Sequence, residues 1–160
     1  MPDKGSVVQL HFYPSKYRHM NPSLELPLNH LNELPDLAKF IVSFAGNTRH
    51  FLLDAPMGAG KTTLIKEFCK TLGSEDNFSS PSYAIVNEYA GNLGKIFHFD
   101  LYRLKNSTEL LDLGIEDYLN SGNYCFFEWP EHTQPFIDSD YVKIEIEMNE
   151  NNRYLRATKF

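Results

Sequence analysis

The chain has 160 residues, 42% of them hydrophobic and 14% aromatic, which excludes a disordered polymer and suits one packed domain. A formal net charge of −6 argues against a broad basic surface, so any RNA is expected to be reached only through a partner. No apolar run is long enough to span a membrane, the start MPDKGSVVQLHFY lacks a signal-peptide core, and two distant cysteines, Cys69 and Cys125, suit a reduced cytoplasmic setting.

Residues 1–23 read as an N-terminal extension of unassigned role, with one β-like run at Val7–Tyr13. Leu24–Leu28 is a candidate strand. A helix is expected over about Leu34–Phe44, with Pro35 in its first turn and Gly46 past its end. Its buried face is expected to carry Leu37, Phe40, Ile41 and Phe44. Phe51–Pro56 is a short apolar strand that runs into a glycine-rich loop. Behind the loop, Leu64, Ile65, Phe68, Cys69 and Leu72 mark one helical stripe that stops at Gly73.

A polar linker, Ser74–Ser80, leads to a strand at Tyr83–Tyr89, a turn at Gly91–Gly94 and a strand at Lys95–Phe99. Asn106 with Glu109 resembles a helix start, and Gly114 its stop. Tyr124–Phe127 is an apolar run ending in Glu128. Tyr141–Met148 alternates strictly, with Val142, Ile144, Ile146 and Met148 on one side; Glu150-Asn151-Asn152 turns it into a returning strand at Arg153–Thr158. The order predicts an α/β domain with a mixed, mainly parallel sheet between helices and a C-terminal antiparallel hairpin.

The loop Ala55-Pro56-Met57-Gly58-Ala59-Gly60-Lys61-Thr62 fits a relaxed Walker A pattern, with Ala55 in place of the first glycine. Gly58 and Gly60 let the backbone curl so that its N–H groups approach phosphate oxygens. Lys61 brings a positive charge to the β- and γ-phosphates, and the Thr62 hydroxyl suits Mg²⁺. The helix beginning there directs its positive end at the anion. A strand before the loop and an amphipathic helix after it are the context this chemistry requires.

Such a loop needs an acid at the end of a neighbouring strand to hold the metal shell. Asp100 ends Ile96–Asp100 and Glu128 ends Tyr124–Glu128, and spacing alone does not choose between them.

GAGKTT (Gly58–Thr63), SPSYAIVNEY (Ser80–Tyr89), HFDLYRL (His98–Leu104), LGIEDYL (Leu113–Leu119) and EWPE (Glu128–Glu131) occur in this order. Together they closely resemble the TsaE (YjeE) family, small P-loop ATPases of bacterial tRNA threonylcarbamoyladenosine biosynthesis. The resemblance covers about residues 24–158 and implies a three-layer P-loop NTPase-like ATPase domain over 24–160. It implies ATP and Mg²⁺ as cofactors, with Thr62 and Glu128 on the metal. It places Met57, Gly58, Ala59, Gly60, Lys61, Thr62 and Thr63 around the phosphates, and Asp100, Lys61 and Glu128 in catalysis. Ser82 falls in the family's switch-like loop, where threonine is common, and Arg103 and Trp129 fall on motif positions near the nucleotide. TsaD- and TsaB-type proteins are the implied partners, with weak hydrolysis by the lone domain. The chain departs from the family's usual Gly-Asp-Leu at Ala55-Pro56-Met57, where Pro56 removes one N–H donor.

Other residues stay open between two readings. Arg103 suits an internal arginine finger or a sheet-edge ion pair. Trp129 suits a place under the site or plain core filling. His98 alternates with Asp100 and so shares its side of the strand, yet reads as a structural histidine. Glu116 and Asp117 suit a solvated helix face or a partner surface. Two other functions fit the loop: a small-molecule kinase, against which the few arginines and lack of an acceptor insert argue, and a nucleotide-sensing module that binds without hydrolysing.

Overall fold

The computed structural model describes residues 9–11 (by their backbone), 22–78, 84–150 and 152–160. At its centre four strands lie mutually parallel: β3 (His50–Asp54), β5 (Gly94–Asp100), β6 (Tyr124–Glu128) and β7 (Tyr141–Met148). Antiparallel strands extend both sides: β1 (Gln9–His11), β2 (Ser23–Pro27) and β8 (Arg153–Lys159) beyond β7, and β4 (Val86–Gly91) beyond β5. The order across the sheet is β1-β2-β8-β7-β3-β6-β5-β4. Gln9–His11, part of the run left unplaced by the sequence, thus forms an edge strand.

The middle strands are near-continuously apolar because both of their faces are covered. Phe51, Leu53 and Phe126 point to one face, where they pack with α1 (Leu34–Ala45) and α2 (Lys61–Thr71). Leu52, Phe97, Phe99, Cys125 and Phe127 point to the other, under α3 (Thr108–Asp112) and α4 (Ile115–Leu119). The three layers are therefore present. Phe126 stacks on Phe51 at 4.8 Å and on Phe68 at 5.0 Å between ring centroids, and this stack seats α2 on the sheet. It also fixes the glycine loop, the segment just before α2, over the ends of the parallel strands.

The five stripe residues, four in α2 and Leu72 just past its end, are all buried. The stripe of α1 differs from expectation: Leu34, Leu37, Ala38, Ile41 and Ala45 are buried, Phe44 is only partly packed, and Phe40 is 49% exposed. Counting only large residues put the stripe out of phase, because small Ala38 and Ala45 hold core positions. Gly114 ends α3 just after Leu113, as expected. It sits in the left-handed region at φ 76° and links α3 to α4. Asn106 does cap α3, since its Oδ1 accepts from the backbone N–H groups of Thr108 (3.0 Å) and Glu109 (3.3 Å). β4 starts at Val86, later than expected, and Tyr83 and Asn151 lie outside the described residues. The hairpin β7–β8 pairs as expected, although Met148 at its end is 50% exposed. Among the described residues no helix is long and apolar enough to cross a membrane.

Candidate nucleotide and metal site

The parallel register sets the site. Leu53 of β3 stands beside Glu128 of β6, and Glu128 beside Asp100 of β5. Both candidate acids therefore end at one level of the sheet, at the carboxyl edge where the loop after Asp54 begins. A cleft of about 340 Å³ opens there. Met57, Gly58, Gly60, Lys61, Thr62 and Thr63 line it from the loop and α2; Asp100, Tyr102, Glu128 and Trp129 line it from the strand ends.

Gly58 and Gly60 adopt φ of 77° and 107°, and an added Cβ at either would meet nothing within 4 Å. Glycine is required here for backbone conformation, not for space. The Ala59 N–H donates within the loop to the Pro56 carbonyl (3.1 Å), and the Leu64 N–H opens the helix by donating to Gly60 (2.9 Å).

Glu128 is the more firmly held of the two acids. The Thr62 hydroxyl donates to its Oε1 at 2.8 Å, and His98 Nε2 lies 2.8 Å from the same oxygen. The side chain of Glu128 is buried, and these donors offset part of the desolvation of its charge. Asp100 is less buried; its Oδ1 accepts from the Tyr102 N–H at 3.1 Å, which braces the turn after β5.

Lys61 is also buried. Its amine donates to the carbonyls of Ala55 (2.5 Å) and Pro56 (3.0 Å) and lies 3.9 Å from the centroid of the Trp129 ring. Burial pulls the Lys61 pKa below its ordinary value, opposed by the nearby carboxylates of Glu128, Asp100, Glu131 and Asp54. Trp129, at φ 57°, is the one non-glycine residue in the left-handed region among those described, and its ring lies 5.0 Å from that of Tyr102. Backbone strain of this kind collects at functional sites.

The residues singled out from the sequence divide clearly. Lys61, Thr62, Thr63, Met57, Gly58, Gly60, Asp100, Glu128 and Trp129 meet in the cleft. Ala59 does not line it, because its side chain is fully buried in the core. Arg103 does not line it either; it is exposed on the turn after β5. Ser82 and the rest of Ser80–Tyr83 lie outside the described residues. Tyr102, known from the sequence only as part of the HFDLYRL motif, also lines the cleft, and His98, read as a structural histidine, reaches Glu128. For His98 the alternation with Asp100 was the available signal, but its reach to Glu128 depends on a strand 30 positions away.

The family model described as "Threonylcarbamoyl adenosine biosynthesis protein TsaE" matches residues 28–156. The curated relatives include proteins described as "tRNA threonylcarbamoyladenosine biosynthesis protein TsaE". That of Haemophilus influenzae is 39% identical over 103 residues, 63% of this chain and 64% of its own length, so the chain spans just under two thirds of that relative. The Rickettsia felis protein is 34% identical over 134 residues, covering 81% of this chain and 76% of its own. The crystal structure of YdiB from Bacillus subtilis aligns with a TM-score of 0.67 and 26% identity over 88% of this chain and 87% of that one. With a matching family model across most of its length, and a glycine loop facing two strand-end carboxylates, the chain belongs to the TsaE family of tRNA threonylcarbamoyladenosine biosynthesis proteins.

Proposed function

We propose that the cleft binds ATP with Mg²⁺ and hydrolyses it in the service of tRNA threonylcarbamoyladenosine formation. The observation that carries this reading is the 2.8 Å hydrogen bond between Thr62, at the head of α2, and Glu128, at the end of a neighbouring parallel strand. It brings a loop hydroxyl and a strand-end carboxylate together where the helix N-terminus meets the phosphate cradle.

The donor set fits Mg²⁺. Both ligands offer hard oxygens, and no group of three or more His, Cys, Asp or Glu able to hold a metal occurs among the described residues. A site with one carboxylate and one hydroxyl suits an ion that keeps waters and shares substrate phosphates. When bound, Mg²⁺ would neutralise charge on the β- and γ-phosphates. Asp100 and Glu128 line the cleft beside Lys61, while Asp54 is paired with Lys143 at 3.0 Å, so a polyphosphate alone would meet repulsion from the two strand-end acids.

Lys61 would leave the carbonyls of Ala55 and Pro56 to meet the phosphates. Asp100 would face the γ-phosphate and orient the attacking water. Trp129 and Tyr102 would wall the cleft and limit access of bulk water. Among the described residues no arginine lines the cleft, so the lone domain is expected to stabilise the transferring group poorly and turn over slowly. TsaD- and TsaB-type partners would supply what is missing, with tRNA reached only through their assembly.

The test is ATP turnover measured with Mg²⁺, alone and with those two partners and tRNA. Turnover that rises on adding the partners supports the reading, whereas equal rates would remove the coupling to the assembly. Absence of ATP binding at any Mg²⁺ concentration would remove the reading itself.

A further inference from the structure

His98 is completely buried, on the face of β5 that also carries Ile96 and Asp100. In the β5–β6 register His98 stands opposite Phe126 while Asp100 stands opposite Glu128, so the imidazole reaches Glu128 diagonally. Nε2 and Glu128 Oε1 are 2.8 Å apart. A carboxylate only accepts hydrogen bonds, so Nε2 carries the hydrogen and donates it. Nδ1 is buried without a hydrogen-bond partner among the described residues. A polar ring kept in the interior with one nitrogen unpaired is costly, which marks the bond at the other nitrogen as the reason for its place.

The ring plane is also fixed. Phe78 stacks on His98 at 5.6 Å between centroids, and Phe78 in turn stacks on Tyr89 at 5.2 Å. From the other side, Thr62 donates to the same Glu128 oxygen. Two donors on two elements thus hold Oε1, and Oε2 takes no hydrogen bond from the described residues.

We infer that His98 is a positioning residue for Glu128: its Nε2–H fixes one carboxylate oxygen so that the other is presented to the cation in the cleft. Thr62 would divide its hydroxyl between Glu128 and the metal, whereas His98 bonds only Glu128 among the described residues. This rests on the reading of Glu128 as a metal-holding carboxylate. Groups that orient a ligand in this way typically affect metal affinity by about 10–100-fold.

Two measurements on the full chain test it. Nitrogen-15 NMR of the imidazoles without ligand should show His98 as the Nε2–H tautomer, with that signal displaced in Glu128→Leu; an Nδ1–H tautomer would overturn the inference. Calorimetry of ATP binding against Mg²⁺ concentration should compare His98→Gln with His98→Asn. The glutamine amide can occupy the place of Nε2, but the asparagine amide is too short to do so. His98→Asn should raise the Mg²⁺ requirement by roughly 10-fold or more, with His98→Gln close to wild type and ATP affinity in EDTA alike in all three. A folded His98→Asn with wild-type Mg²⁺ dependence, or a glutamine variant as impaired as the asparagine one, overturns the inference. Should His98→Asn fail to fold, the glutamine comparison and the tautomer decide. If wild type binds no ATP, the nucleotide reading fails on its own account, and the tautomer still judges the His98–Glu128 bond.

Discussion

Lys61 and Trp129 face one another across the cleft, the amine 3.9 Å from the ring centroid, while the same amine donates to two loop carbonyls. This contact and phosphate binding compete for one ammonium group. ATP should therefore draw Lys61 off the ring, and Trp129, the chain's only tryptophan, reports it. Its emission should change on titration with ATP and Mg²⁺. In Lys61→Ala the resting contact is gone and the phosphates lose their cation, so the ATP-dependent change should vanish and affinity should fall at least ~10-fold. An unchanged titration in that variant would show that the lysine does not meet the ligand.

The environment of Lys61 also sets a pH dependence. Burial lowers its pKa from the ordinary 10.5, because the folded state disfavours the charged form. As pH rises through the lowered value, the folded chain releases this proton while the unfolded chain keeps it. The unfolded state then binds more protons, so the contribution of this group to stability increases with pH up to about 10.5. Below the folded pKa the full burial penalty remains. Urea unfolding of wild type and Lys61→Met across pH 7–11 should show their difference shifting in favour of wild type as pH rises. ATP affinity should move the other way, weakening below the pH at which an ordinary lysine titrates.

How far the sequence foretold this site depends on the range of the interactions. The glycine loop, the stripe of α2 and the hairpin were legible because each is a local pattern of turn chemistry or period. The shared level of Asp100 and Glu128 was anticipated from strand ends; spacing did not choose between them, the resemblance favoured Glu128, and the Thr62–Glu128 bond that supports that choice spans 66 positions and has no local pattern. His98 is buried as a structural histidine would be, but its bond to Glu128, 30 positions away, was for the same reason not legible. Phe40 was misplaced because periodicity among large residues ignores alanines that fill a core as well. The resting place of Lys61 was invisible: its partners are backbone carbonyls and an aromatic face, neither of which has a sequence pattern.

The two glycines of the loop predict a separable effect on stability. Gly60 lies at φ 107° with open space where a Cβ would stand. Gly60→Ala should thus cost backbone strain without a clash, about 1–3 kcal/mol by urea unfolding. A loss below ~0.5 kcal/mol would mean that the loop relaxes freely to another conformation. Because Gly60 is also the residue preceding α2, the same variant should weaken ATP binding more than Ala59→Gly, whose side chain is turned into the core.

Both thiols lie in the two apolar layers, and burial pushes Cys69 and Cys125 up to about 12. A thiolate is the reactive form, so neither should react with an alkylating agent at pH 8 in the folded chain, and both should react in urea. The linkage follows the same direction. The folded chain keeps these protons above pH 9, where the unfolded chain releases them, so this contribution to stability is present below pH 9 and is lost as pH rises toward 12. Rapid labelling of either thiol under native conditions would contradict the packing around Phe68 or Phe127.

Asp100 separates binding from turnover. Its Oδ1 accepts from the Tyr102 N–H, and asparagine retains an oxygen there, so Asp100→Asn should keep the turn after β5 while removing one negative charge from the cleft. With less repulsion toward phosphate, ATP affinity should be equal to or tighter than wild type. Hydrolysis should fall by roughly 100-fold or more, the usual consequence of losing a group that orients or deprotonates the attacking water. Equilibrium binding and single-turnover phosphate release, measured on the same preparation, separate the two effects. Undiminished turnover in Asp100→Asn would confine this acid to bracing Tyr102 and leave Glu128, with His98 behind it, as the acid on which the chemistry depends.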